Sequence, residues 1–263
     1  MGPGRGSGVG DWGTPARYLE QAERGYFVKL EFPAIFILAA TSLVACSEKT
    51  GAIDTRILSS MREQPEIVAI HYSPAPFSAT TPEVRNAASA ATLFGAVGGA
   101  VAAAIQAREA EQAGSEVVRD YNLQDPMLTI MHGFLERVVS NSTSPHVRQL
   151  QEAIAREHID DLKREFYHGY IFDFKTTAWS MKQSGPLSPN HYRAYYTGRV
   201  RLLHFPEGKT EWQGTCEAEG KIENSAPTLL QLVSNSAAIL KTQLDGISEA
   251  CIDQLEQQFT TKP

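Results

Sequence analysis

The sequence is poor in cysteine, with three among 263 residues. It contains no Cys-x-x-Cys motif and no Cys and His pairs at the spacing of a zinc site. It also lacks a Gly-x-Ser-x-Gly elbow, a phosphate-binding loop and a dinucleotide fingerprint. The sequence therefore predicts no cofactor and carries no recognisable catalytic motif, although the fold could still bring a serine, a histidine and a carboxylate together.

Positive charge is in the minority as well. Lys and Arg number 24 against 30 Asp and Glu, which gives a formal net charge of −6. A nucleic-acid-binding protein needs a basic surface, so we expect no nucleic-acid partner. A hydrophobic share of 42% with 21% charged residues is typical of a globular protein and excludes wholesale disorder and a polytopic membrane protein.

A short uncharged apolar segment lies near the N-terminus, at residues 32–44. Its ~13 residues match the core of a signal peptide and fall short of the roughly 20 that a spanning helix needs. The segment ends in Leu43-Val44-Ala45-Cys46, which resembles the lipobox of bacterial lipoproteins.

Because Met1 lies far upstream of this segment, we expect translation to start at Val28. Residues 1–27 are then an untranslated extension, and residues 28–45 are the lipoprotein signal peptide. The resemblance implies that Cys46 carries acyl chains, palmitate among them, and two or more chains anchor a protein stably. Ser47 in place of Asp implies the outer membrane and a fold that faces the periplasm. The alternative for Cys46 is a buried structural cysteine.

Residues 46–65 are polar and predict a tether, and residues 66–140 predict a strand followed by a helical hairpin. Residues 66–72 are rich in β-branched side chains, which favours the strand. The prolines at 74 and 76 cannot continue a sheet ladder, so we expect a loop there rather than a segment that docks a partner.

An uncharged stretch of small residues lies within residues 86–107. Gly95 and Gly99 are four residues apart and Gly98 lies between them, so one face of a helix would be smooth enough for close approach by another helix. Each of these glycines disfavours a helix by roughly 0.8–1.0 kcal/mol relative to alanine. Three interpretations remain: packing inside the protein, contact with a membrane or a second copy, and a flexible segment.

Two helices joined by a short turn are predicted next. Residues 108–121 have helical periodicity, and Asp125 followed by Pro126 supplies an N-cap and a first-turn proline for a second helix. The polar residues 141–145 predict a boundary, after which residues 145–263 form an α+β unit.

The C-terminal unit is predicted to start with a helix over residues 146–167. Apolar and polar residues then alternate over 170–178, 192–202 and 211–218, which predicts antiparallel strands with one face on the core and one in water. Gly208 is expected to take a positive φ in the hairpin turn between the second and third strands.

A long helix is predicted to close the chain. Thr228 and Gln231 have the spacing of a capping box, and the apolar stripe that follows includes Cys251. Cys216 lies on the inward side of the third strand, so we predict a disulfide between these cysteines in an oxidising periplasm, worth about 3–4 kcal/mol. Two buried free thiols are the alternative. The predicted fold is α+β, with a small antiparallel sheet covered by a long C-terminal helix, plus an α-helical hairpin with a glycine-zipper segment.

Four residues form a weak candidate for a metal site: His158, Asp161, Glu165 and His168. Their spacing would place them on one face of a helix. Helix surfaces are routinely charged and the sequence has no His-Glu-x-x-His motif, so we favour a solvated face and predict no metal. Three further histidines border predicted strands and are expected to pack or to form hydrogen bonds: His71, His191 and His204.

A locally basic face is predicted on the second strand, from Arg193, Arg199 and Arg201. Such a face could hold an acidic partner, lipid head groups or a glycan. We favour the simpler interpretation that these arginines pair across the hairpin with Glu211 and Glu217.

The order of helix, three antiparallel strands and long helix over residues 146–259 resembles the periplasmic domains of auxiliary lipoproteins that serve envelope transport or assembly machines. The resemblance implies a non-enzymatic accessory role for another envelope component, with a membrane anchor and either an envelope protein or a second copy as partner. The alternatives are a periplasmic lipoprotein hydrolase with an unrecognised site, and a protein that oligomerises or contacts membranes through the glycine zipper.

Overall fold

The computed structural model describes residues 51–82, 84, 95–139, 146–166, 168–185, 190–221 and 225–261, with side chains from residue 103 onward in the third of these ranges. The predicted signal peptide and Cys46 lie outside the described residues. The described elements are α1 (Thr55–Arg62), β1 (Glu66–His71), β2 (Phe77–Ala79), α2 (Gly95–Tyr121), α3 (Met127–Val139), β3 (His146–Gln149), α4 (Ile159–Glu165), β4 (Gly169–Gln183), β5 (Tyr192–Phe205), β6 (Lys209–Glu219) and α5 (Leu229–Thr260).

The predicted α+β class is confirmed, and the sheet is mixed rather than purely antiparallel. Its strand order is β3-β1-β4-β5-β6, with β2 also paired to β4. The predicted antiparallel unit is formed by β4, β5 and β6. The strands β1, β2 and β3 add to it by parallel pairing. Strands from both predicted segments, residues 66–140 and 145–263, therefore share one sheet.

The predicted helix over residues 146–167 is wrong. Residues 146–149 form β3 and pair with β1, and only Ile159–Glu165 is helical. Between them the chain runs irregularly and is held to β1 by backbone hydrogen bonds from Leu150 to Ala69 and from Ile154 to His71. Pairing with β1 satisfies the backbone groups of residues 146–149 that face it and leaves the others at the sheet edge, where water can satisfy them, so tertiary contacts can override the local pattern.

Each face of the sheet has its own core. The larger core lies between the sheet and the helices α3 and α5, and aromatic residues such as Phe134, Phe172 and Trp212 are fully buried in it. A smaller core on the second face is formed by the segment 150–166 packing on β1, β4 and β5. The expectation that one face lies in water is therefore wrong for the half of the second face that this segment covers.

The helices of the larger core pack closely at two glycines. A Cβ on Gly114 of α2 would lie 1.8 Å from the carbonyl oxygen of Phe77 in β2, and one on Gly133 of α3 would lie 2.4 Å from Cδ1 of Ile252 in α5. The predicted pair of helices is confirmed, with Asn122 in the turn between them at φ +49°. The backbone of the glycine zipper is helical from Gly95, but its side-chain packing lies outside the described residues.

The last helix starts as predicted. The Thr228 hydroxyl accepts a hydrogen bond from the Gln231 amide, and the Gln231 side chain reaches back to the Thr228 amide at 2.9 Å. Its apolar stripe is interrupted, because the backbone from Ser234 to Ala237 is not helical and three of these residues have positive φ. The predicted positive φ at Gly208 in the β5–β6 turn is confirmed at +69°.

Among the described helices, none combines the length and the apolar character that crossing a bilayer requires.

Candidate functional site

Charged side chains gather on the second face of the sheet, where the segment 150–166 crosses β4 and β5. We call Tyr72, Glu157, Asp173, Lys175, Arg199 and Arg201 the charged cluster. Asp173 lies at its centre and is fully buried. It stands directly opposite Arg201 in the β4–β5 ladder and accepts hydrogen bonds from Arg201 Nε at 3.0–3.1 Å. The Tyr72 hydroxyl donates a further bond to Asp173 Oδ2 at 3.1 Å.

The second carboxylate of the charged cluster comes from the irregular segment, at Glu157. It accepts hydrogen bonds from Lys175 and Arg199, and the guanidinium of Arg201 lies 2.8 Å from its Oε1. Lys175 and Arg199 face each other across β4 and β5, so the two strands present three cations to one carboxylate. Three positive charges against two negative ones leave the charged cluster with an excess of one positive charge.

Three members of the charged cluster, Tyr72, Glu157 and Arg201, have shifted pKa values that keep each in its usual protonation state near neutral pH. Burial by itself would raise the pKa of Glu157, but the hydrogen bonds from Lys175 and Arg199 outweigh it and lower this pKa. Burial would lower the pKa of Arg201, yet its bonds to Asp173 raise it. Burial, and then the neighbouring Asp173 carboxylate, raises the pKa of Tyr72, so its hydroxyl stays a donor. The cluster is therefore suited to pinning a segment to the sheet rather than to proton transfer.

The prediction that the three arginines pair across the hairpin with Glu211 and Glu217 is wrong in its partners, and of the three only Arg193 forms an ion pair across that hairpin. Arg193 forms an ion pair with Glu219 across β5 and β6. Arg199 instead pairs with Glu157, and Arg201 pairs with Asp173. The predicted partner Glu211 instead accepts hydrogen bonds from Lys209 at 2.9 and 3.0 Å. The register explains the difference, because Arg199 lies opposite Thr215 and Arg201 opposite Gln213.

A separate polar group lies on the opposite face, within the larger core. The Thr176 hydroxyl donates to the Asp125 carboxylate at 2.8–2.9 Å and lies 2.9 Å from the Tyr196 hydroxyl. Because the proton of Thr176 is directed to the carboxylate, Tyr196 acts as donor to Thr176. Asp125 also accepts from the Met127 amide at 3.3 Å, as an N-cap does. Burial raises the pKa of Asp125 to about 6 despite these bonds.

The structure joins Cys216 of β6 to Cys251 of α5 by a disulfide. Both cysteines are buried, at 1% and 0% exposure, and the bond spans a sequence separation of 35. It connects the outermost described strand of the β4–β5–β6 unit to the helix that covers it.

The residues proposed as a weak metal site do not share a helix face. His158 precedes α4 and His168 follows it, since the helix covers only Ile159–Glu165. Asp161 forms an ion pair with Arg164. Within the described part of the chain, no group of three or more His, Cys, Asp or Glu side chains has the arrangement of a metal site.

The histidines beside the strands are placed differently from one another. His204 stacks on Tyr170 with ring centroids 4.6 Å apart, which is the packing role we expected. His191 forms an isolated bridge with Thr228. His71 is 7% exposed, its Nδ1 has no hydrogen-bond partner among the described residues, and burial lowers its pKa.

Sequence reasoning missed Glu157, Tyr72 and the central position of Asp173. The alternation over residues 170–178 places Asp173 on the water-facing side of its strand, so no local pattern predicts its burial. No local pattern marks Glu157 or Tyr72, since their partners lie far away in the sequence.

The described fold defines an α+β protein with a mixed sheet, a covering C-terminal helix and a disulfide between them. No family model matches the chain, and no curated protein matches it. Among solved structures it is similar to the PelC dodecamer from Paraburkholderia phytofirmans, at 8% identity over 75% of this chain and 89% of that one, with a TM-score of 0.28.

Two further similar structures have comparable scores. The hypothetical protein CT253 from Chlamydia trachomatis is 6% identical over 74% of this chain and 98% of that one, with a TM-score of 0.31. Lipoprotein GNA1162 from Neisseria meningitidis is 13% identical over 62% of this chain and 87% of that one, with a TM-score of 0.21. Similarity at this level assigns neither a family nor a function.

Proposed function

We propose that this protein is a lipid-anchored protein of the cell envelope that faces the periplasm and has a non-enzymatic accessory role for another envelope component. The observation that carries the proposal is the Cys216–Cys251 disulfide. Disulfides persist in oxidising compartments such as the bacterial periplasm and are rare in the cytosol. The lipobox-like Leu43–Cys46 segment supports the same compartment.

The division of the cysteines adds support. If Cys46 carries lipid and the other two cysteines are paired, all three thiols are used in ways that an exported lipoprotein requires. Of the predicted tether at residues 46–65, Ile53 and Met61 are buried in the larger core and the Ile53 amide donates to the Phe259 carbonyl, so only the few residues between Cys46 and Ile53 would separate the anchor from the folded part.

The accessory role is supported by the second face of the sheet. The segment 150–166 and the charged cluster cover the part of this face that is formed by β1 and by the adjoining parts of β4 and β5. The uncovered part of this face carries side chains of both charge signs, and Lys182 and Glu217 are exposed there. The Lys182 ammonium lies 5.7 Å from the Tyr195 ring centroid. An exposed strand face with charges of both signs suits contact with another protein.

The anchor is tested by expressing the full chain and its Cys46→Ala variant in a Gram-negative host with labelled palmitate. We expect the label and membrane sedimentation for the parent protein and no label for the variant. The matched control is Cys251→Ala, which should retain the label because this cysteine lies in the folded part. Labelled Cys46→Ala, or an unlabelled parent protein, would contradict the anchor.

Membrane sorting and partner contact need separate measurements. Ser47→Asp should move the labelled protein from the outer-membrane to the inner-membrane fraction if lipoprotein sorting applies. A photo-crosslinking residue at Lys182 should capture a second envelope protein in native membranes, whereas one at exposed Asp245 on α5 should not. Equal crosslinking at both positions would argue against a partner at the second face.

A further inference from the structure

The segment that follows the proposed anchor enters the fold at one fixed point, Ile53. This residue is 4% exposed, and its amide donates to the Phe259 carbonyl in the last turn of α5 at 3.2 Å. The Asp54 side chain then caps α1, and the buried Met61 packs α1 onto the larger core. The chain is therefore held in place from Ile53 onward, by contacts that do not involve Cys46.

This entry point lies at one end of the sheet. Phe259 contacts Trp212 with ring centroids 4.9 Å apart, and Trp212 stands opposite Leu202, near the end of β5. The strands β1 and β4 start at the same end, because they are parallel to each other and β4 is antiparallel to β5. We call it the Ile53 end, and we call the opposite end, where β4 ends and β5 begins at Tyr192, the Tyr192 end.

The connection to the anchor is short compared with the sheet. Seven residue positions separate Cys46 from Ile53, and even fully extended they reach at most about 25 Å. The 14 residues of β5 span about 40 Å between the two ends. An acylated Cys46 therefore keeps the Ile53 end close to the bilayer, whereas the Tyr192 end lies about 40 Å further along the strands.

The outer side of α5 is unsuited to lying on an anionic bilayer. Six charged side chains lie on it or beside it: Asp245, Glu249, Asp253, Glu256, Lys241 and Arg137. Four carboxylates against two cations leave an excess of two negative charges. Anionic headgroups attract basic segments and repel acidic ones, so this excess disfavours an orientation in which α5 lies flat on the bilayer.

We infer that the bilayer lies against the Ile53 end of the fold and that the Tyr192 end points away from it into the periplasm. The inference rests on the lipid anchor of the proposed function and adds the surface that faces the lipid, formed by α1 and the starts of β1 and β4. The Cys216–Cys251 disulfide contributes, because it fixes α5 to the sheet. Lys182 and the uncovered part of the second face around it then lie far from the membrane, where an envelope protein can reach them.

The test measures energy transfer from a dye on the full-length lipidated protein to rhodamine lipids in vesicles of phosphatidylethanolamine and phosphatidylglycerol. Arg62→Cys places the dye at the exposed end of α1, beside the start of β1, and Lys182→Cys places it near the Tyr192 end. Acylation blocks Cys46 and the disulfide blocks the other two cysteines, so each variant has one reactive thiol. We expect transfer at position 62 to be at least about threefold more efficient, because the ends are about 40 Å apart.

A variant with a longer connection is the matched control. A flexible Gly and Ser segment inserted after Gly51, which has open space around it, should bring the ratio between positions 62 and 182 toward one. Circular dichroism and the intact disulfide show that the labelled and lengthened variants are folded.

The outcomes separate this inference from the proposed function. A parent protein that takes up the thiol dye at Cys46 and no palmitate would overturn both the anchor and the inference. A lipidated protein with equal transfer at the two positions, or with stronger transfer at position 182, would overturn the inference alone. A ratio that the inserted segment leaves unchanged would overturn the role of the short connection.

Discussion

Replacing Asp125 with Asn should remove a pH dependence of stability that this half-buried carboxyl creates. Burial raises the pKa of Asp125 from its usual value of 3.8 to about 6, so the folded protein binds a proton there more tightly than the unfolded chain does. A raised carboxyl pKa contributes stability that is fully present below the unfolded pKa and is lost as the pH rises through the folded value. The contribution should therefore disappear between about pH 4 and pH 7.

The magnitude follows from the size of the shift. A change of about 2 pKa units, at about 1.4 kcal/mol each, corresponds to about 3 kcal/mol between the two ends of this range, as an upper bound. Asn retains an oxygen that can accept from Thr176 and from the Met127 amide, and it cannot ionise. The free energy of unfolding of Asp125→Asn relative to the parent protein should thus increase by about 2 kcal/mol from about pH 4.5 to about pH 7.5.

Urea unfolding at a series of pH values, with the disulfide intact, measures this difference directly. Subtracting the parent curve removes the titration of other groups, such as His71, whose pKa burial lowers. The matched control is Asp245→Asn, since Asp245 is an exposed carboxylate on α5. Parallel curves for Asp125→Asn and the parent protein would refute the argument that burial governs this group.

Two further predictions concern packing and the charged cluster. Glu157→Gln should lower the free energy of unfolding by about 1–3 kcal/mol, because three cations lose a shared carboxylate, and an effect below about 0.5 kcal/mol in urea unfolding would contradict the pinning role. Gly114→Ala should cost more than about 2 kcal/mol, since the added Cβ would lie 1.8 Å from a β2 carbonyl oxygen. Gly246→Ala is its control: open space surrounds that position, so thermal unfolding should shift slightly upward there and markedly downward for Gly114→Ala.

Some parts of the fold could be predicted because their cause is local. The capping box at Thr228 needs only two side chains three residues apart, and the turn at Gly208 needs only a residue that tolerates positive φ. The strands β4, β5 and β6 were predictable because alternation marks them and short connections make them neighbours.

Other parts depend on contacts that sequence patterns do not record. Residues 146–149 have an apolar and charged content compatible with a helix, yet they pair with β1, which lies some eighty positions earlier in the chain. The charged cluster also depends on contacts between distant segments. Tyr72 bonds to Asp173 and Glu157 lies beside Arg201, on a face that sequence patterns alone place in water. The helix α5 was predicted as continuous, and the break at 234–237 carries no proline or glycine to signal it.

The sequence by itself determined the α+β class, the antiparallel unit, the start of the last helix and the placement of two cysteines on facing apolar surfaces, since periodicity and capping act over a few residues. Tertiary structure alone decided the parallel strands, the partners of the arginines and the partial burial of Asp125. These features require groups distant in the chain to meet, and the free energy of such contacts depends on burial and register that no short stretch of sequence specifies.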